Sequence, residues 1–96
     1  MIRLYLSVGM IKPSGDRRKK ILERLRQDAK YEIVQSRHGA TYVLPDSIVV
    51  TRQGRQFTIV ALDRRVIEEV LDDFGVPADK AAFCDVPAML AAQAAG

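Results

Sequence analysis

Apolar and polar residues alternate where the chain begins: Ile2, Leu4, Leu6 and Val8 are separated by Arg3, Tyr5, Ser7 and Gly9. A period of two sends successive side chains to opposite faces of a strand. Residues 2–10 are therefore expected to form one, with the aliphatic set buried and the other set wetter. Lys12-Pro13-Ser14-Gly15 breaks that pattern, and the spacing of apolar residues then lengthens. Ile21, Leu22, Leu25 and Ala29 make a narrow stripe at helical spacing, which predicts a helix over 16–29 capped by Ser14 or Asp16.

A β-rich middle follows. Residues 31–35 and 41–44 read as short strands around the turn Ser36-Arg37-His38-Gly39, and Pro45-Asp46 punctuates the chain again. Two β-branched runs, 47–51 and 56–62, flank Arg52-Gln53-Gly54-Arg55. Gly54 supplies the positive φ a tight turn needs, so these runs form a hairpin with Ile48, Val50, Phe57, Ile59 and Ala61 at alternating apolar positions. Asp63 then caps a second helix with Val66, Ile67, Val70, Leu71 and Phe74 on one side; Gly75 and Pro77 stop it. Asp85 reads as a cap for 87–93, making 87–96 a short helical or mobile tail; the alternative for 81–86 is a last strand.

The fold class expected from this order is a single small α+β domain over 1–96. It has an antiparallel-rich sheet of four or five strands and two main helices on one face. A ferredoxin-like βαββαβ arrangement is the alternative, and it requires the strand at 81–86. Apolar residues make up 48% of the chain and charged ones 28%, a balance that suits a soluble globular chain rather than a disordered one. No apolar run nears the roughly 20 residues of a membrane helix. The first residues lack the long hydrophobic region of a secretory signal, so a cytoplasmic protein is expected. The single cysteine, Cys84, lies among Ala82, Phe83 and Val86 and reads as a small buried hydrophobe.

Charge changes the picture more than composition does. Residues 1–38 carry ten Lys/Arg and four Asp/Glu, whereas 63–96 carry three and seven. A modest net charge of +3 thus hides a basic first half and an acidic end, an asymmetry that points to a polyanion or an acidic protein as partner. Both helices also reverse the usual match to the macrodipole. The first opens with Arg17, Arg18, Lys19 and Lys20; the second opens with Arg64 and Arg65 and closes with Asp72 and Asp73. Local pairing, Arg64 with Glu68 and Arg65 with Glu69, is the simpler account of the second helix. The first has only Asp16 and Glu23 nearby, which leaves its cations for an anionic ligand.

Candidate chemistry is sparse. His38 is the only histidine and hence the only side chain suited to general base work near neutral pH. One His and one Cys cannot build the usual metal sites, no phosphate loop is present, and Asp72-Asp73 diverge on a helix, so neither cofactor nor metal is expected.

The order helix, three strands, helix from Asp16 to Val76 resembles double-stranded-RNA-binding-like domains, in particular the HicA-type mRNA interferase toxins. The stretch Gln35-Ser36-Arg37-His38-Gly39-Ala40-Thr41 places His38 near the start of a strand, as in that family, and Leu71-Asp72-Asp73-Phe74-Gly75 looks like its closing helix. The family's Gly-Ser before the histidine is replaced by Ser36-Arg37. The resemblance implies an RNA ligand and, as an alternative, ribonuclease activity through His38.

The functional expectation is a small non-catalytic binding, regulatory or inhibitor module of the kind mobile elements encode. It would contact nucleic acid (RNA or DNA) or an acidic protein. Its contact residues are Arg17, Arg18, Lys20 and Arg24 on the first helix, with Arg17, Lys20 and Arg24 on one face, and Arg52 and Arg55 at the hairpin tip. A structural subunit that self-associates as a homodimer through a sheet edge is a further alternative. No membrane contact is expected.

Overall fold

The computed structural model of the protein describes residues 5–87. The chain runs β1 (Tyr5–Ile11), α1 (Gly15–Asp28), β2 (Tyr31–Ser36), β3 (Gly39–Leu44), β4 (Ile48–Gln53), β5 (Gln56–Ala61), α2 (Arg64–Asp73), a 3-10 turn (Ala78–Lys80) and β6 (Ala82–Pro87). The strands form one antiparallel sheet in the order β2-β3-β4-β5-β1-β6. The α+β class agrees with the expectation, but the strands number six rather than four or five.

The added strand is β6, which pairs with β1 from Tyr5 opposite Pro87 to Met10 opposite Ala82. Asp85 lies inside it; its carboxylate accepts a 3.0 Å hydrogen bond from the Ser7 hydroxyl. The predicted tail beyond residue 87, like Ile2 and Leu4, falls outside the described residues. The ferredoxin-like alternative required a strand at 81–86, and β6 supplies one. Four strands rather than two lie between the helices, however.

The helices share one face of the sheet. Ile21 and Leu25 from α1, with Ile67, Val70, Leu71 and Phe74 from α2, meet Ile11, Tyr42, Val50, Phe57, Ile59 and Ala61 from the strands. The alternating hairpin positions behave as patterned: Val50, Phe57, Ile59 and Ala61 are buried and Ile48 packs against them. Ser14 caps α1, its hydroxyl accepting from the Arg17 amide. At the end of α2, Gly75 has φ 70°. Its N–H donates to the Asp72 carbonyl and that of Val76 to Leu71, the paired bonds of a Schellman cap.

In β1 the expected faces are exchanged. Ser7, Gly9 and Ile11 face the helices and are buried, whereas Leu6, Val8 and Met10 face away and are half-buried. The cause is α2, which crosses so close that a Cβ on Gly9 would stand 2.8 Å from Ile67 Cγ2. Only small residues fit under it. Cys84 is likewise exposed rather than buried, because it lies on the edge strand β6 opposite Val8, on the face without helices.

That face presents Leu6, Val8 and Met10 from β1 and Thr58 and Val60 from β5. Val49 and Thr51 come from β4, Thr41 and Val43 from β3, Tyr31 and Ile33 from β2, and Ala82, Cys84 and Val86 from β6. Gln53 and Gln56 close one end.

The turn between β3 and β4 carries two non-glycine residues at positive φ, Asp46 at 64° and Ser47 at 62°. Each left-handed L-residue costs about 1–2 kcal/mol, less where a short polar side chain bonds locally. Ser47→Gly is therefore expected to stabilise the fold by up to about 1 kcal/mol after the added freedom of the unfolded chain is subtracted. The midpoint of urea unfolding should rise with its slope unchanged.

Candidate nucleic-acid interface

Strand registers gather several loops at one end of the sheet. β1 finishes at Ile11 opposite Phe57, three residues from the hairpin turn at Gly54, and α1 starts immediately after. Gly39, at the β2–β3 turn, lies opposite Gln53, and the Gly54 N–H donates to the His38 carbonyl at 2.7 Å. β6 begins at the same end, with Ala82 opposite Met10. An open cleft of about 650 Å³ there is lined by Lys12, Ser14, Arg17, Gln56, Gly75 and Lys80, among others.

This end collects cations from separate parts of the chain: Lys12, Arg17, Arg18, Lys19, Lys20, Arg37, Arg52, Arg55 and Lys80. Asp16, Glu23, Asp72, Asp73 and Asp79 are the acids near them, Glu23 and Asp73 lining one groove with Arg17 and Lys20. Lys12, Lys19, Arg37 and Lys80 are not among the contact residues expected from the sequence. Lys12 and Lys80 lie 68 positions apart (80 − 12), and only the β1–β6 pairing brings them to one cleft.

The six residues expected to bind are not equivalent. The Arg17 guanidinium donates to the Phe74 carbonyl at 3.4 Å and lies against Gly75. It thereby supplies at the C-terminus of α2 the cation that this helix lacks in its own last turn. Arg24 pairs with Asp28 at 2.6 Å; that hydrogen bond, then the attraction of Asp28, holds its guanidinium above its ordinary pKa. Arg17, Lys20 and Arg24 do share a side of α1, and it looks into a groove with Asp73 and Phe74 of α2. Arg52 is turned to the helix side and donates to the Gly54 carbonyl at 3.1 Å. Arg18 and Lys20 make no ion pair with any described residue, and Arg55 sits exposed at the hairpin tip.

Other charged groups are structural. Arg64 pairs with Glu68 at 3.2 Å and lies over the Phe83 ring, 4.1 Å from its centre. The pair expected between Arg65 and Glu69 does not form; the Arg65 amide instead donates to the Asp63 carboxylate, capping α2. Arg26 joins Glu32 at 3.3 Å beside Tyr42, whose phenol is pushed above its ordinary pKa first by burial and then by Glu32. His38 is exposed in its turn. Among the described residues, no group of three His, Cys, Asp or Glu is placed to hold a metal ion, and no helix is long and apolar enough to cross a membrane.

No protein-family model, curated protein or solved structure matches the chain.

Proposed function

We propose that the protein is a non-catalytic binding module that holds the phosphate backbone of a nucleic acid at the basic end of its sheet. The observation that carries this reading is the gathering of cations without internal partners at one end of the sheet. Arg18, Lys19 and Lys20, within the first two turns of α1, make no ion pair with a described residue, and Arg55 presents another charge at the hairpin tip of the same end. These cations flank a cleft whose own lining adds Lys12 and Lys80; charges spread over one end of the sheet suit a repeated charge such as phosphate, and phosphate contacts supply most of the affinity of such complexes. An acidic protein is the competing partner. Protein interfaces carry an apolar centre, however, and none of the exposed large apolar side chains sits on the helix start or hairpin tip that bear these charges.

Arg17 and Arg24 are committed to α2 and Asp28, so a clean test leaves them in place. Lys19→Glu, Lys20→Glu and Arg55→Glu combined should weaken binding to short RNA and DNA oligonucleotides at least about 100-fold at low salt. The dependence of log affinity on log salt should flatten by two to three units, about 0.9 for each phosphate that is no longer neutralised. Fluorescence anisotropy over a salt series reads both. A parent protein that binds neither nucleic acid at low salt, or a triple variant that binds as the parent does, sinks the reading. His38→Ala should leave binding unchanged and the protein should not cleave RNA. Cleavage abolished by that substitution would establish the ribonuclease instead.

A further inference from the structure

Among the described residues, the helix-free face of the sheet has no charged residue at any strand position, although charged residues make up 28% of the chain. A one-sided antiparallel sheet ordinarily turns polar, charged residues to water. Here the centre of the open face is valine and threonine: Val49 lies opposite Val60, Thr51 opposite Thr58, and Val8 beside Val60. In β1, Leu6, Val8 and Met10 go to this face, while Ser7, Gly9 and Ile11 go to the helices. Tyr31 and Ile33 extend the apolar surface onto β2 and are more than half exposed.

We propose that this face packs against the same face of a second copy, forming a two-fold sheet-on-sheet dimer. Charge complementarity selects the occupant. A nucleic acid or an anionic membrane finds no cation on the face, and a charged protein surface would bury unpaired charges against it. A second copy brings an equally neutral, apolar surface with no like-charge contact, and a two-fold pairing of identical faces closes on itself without propagating. The area is sufficient. Six strands about 4.8 Å apart and about six residues long span roughly 29 by 20 Å. Two such faces bury on the order of 1,200 Å², above the roughly 1,000 Å² that a specific interface requires. The basic end remains outside this contact, so the dimer is independent of the anion-binding reading and would present two such ends.

Sedimentation equilibrium of the full chain at 5–100 µM, a range of about 20-fold, at low and high salt tests the proposal. The expected result is a dimer that persists in high salt, since apolar contact is not screened. Val60→Glu, at a half-exposed position where a monomer tolerates charge, should give a monomer with unchanged far-ultraviolet circular dichroism. Val49→Thr with Val60→Thr, which keeps the branched shape, should weaken association at least about tenfold. Val34→Lys, on the helix side of the edge strand, should leave the dimer intact. A parent that is monomeric throughout overturns the proposal, as does a dimer that survives Val60→Glu but is lost in Val34→Lys, which would assign association to the β2 edge.

Discussion

Leu71→Ala should lower the free energy of unfolding by about 2–5 kcal/mol. Leu71 is completely buried, and with Ile67, Val70 and Phe74 it forms the side of α2 that lies across β1 and β5. A ten-residue helix has almost no stability by itself, so α2 exists because this side is covered. Truncation removes the transfer energy of the missing methyl groups. It also leaves a cavity beneath α2 that the sheet cannot rearrange to close. A domain of this size has a total stability of about 5–14 kcal/mol, so the variant loses a large part of it and lies near unfolding at 37 °C. Urea denaturation followed by circular dichroism measures the effect. A loss below about 1 kcal/mol would show that α2 does not pack as described. Leu22→Ala, at a half-buried position on α1, should cost clearly less.

Gly9→Ala should cost about 1–3 kcal/mol, an unusually large penalty for one added methyl group. The backbone at Gly9 has no positive φ, so alanine is conformationally allowed and the whole cost is steric. The new Cβ would meet Ile67 Cγ2 at 2.8 Å and the Phe83 ring at 3.5 Å. Isoleucine on a helix has essentially one χ1 rotamer and cannot swing clear, so α2 must lift from the sheet. Gly9→Val should abolish stable folding. The diagnostic measurement is a double-mutant cycle, in which Gly9→Ala combined with Ile67→Ala costs less than the two single effects added together. Additivity would mean that the two residues do not touch.

The basic character of the candidate site was legible, but its location was only half so. The run Arg17-Arg18-Lys19-Lys20 announces itself because cations at a helix start oppose the dipole. Nothing local distinguishes Arg17, which is spent on the end of α2, from Lys20, which is free of ion pairs. That difference depends on where α2 terminates relative to α1, across a separation of 57 residues. Arg24 is the contrary case: its partner Asp28 stands at i+4, and the pair could have been read from spacing alone. Lys12 and Lys80 carry no signal in isolation.

Periodicity, turn chemistry and caps determined the elements themselves, because each depends on neighbours within a few residues. Gly54 makes the hairpin, Ser14 and Asp63 start the helices, and Gly75 ends the second. In the hairpin, Phe57 and Ile59 alternate with the polar Gln56 and Thr58, which marks them as the inward set. Tertiary structure decided what alternation leaves open, namely which of two faces is inside. In β1, Leu6 and Val8 face away from the helices, because the side-chain period says only that the two halves are opposite and α2 needs Gly9 beneath it. It also decided the fate of 82–87, a segment whose local pattern suits a strand or a helix approach equally. The open edge of β1 supplied hydrogen-bond partners and made it a strand, and with it Cys84 came to the surface.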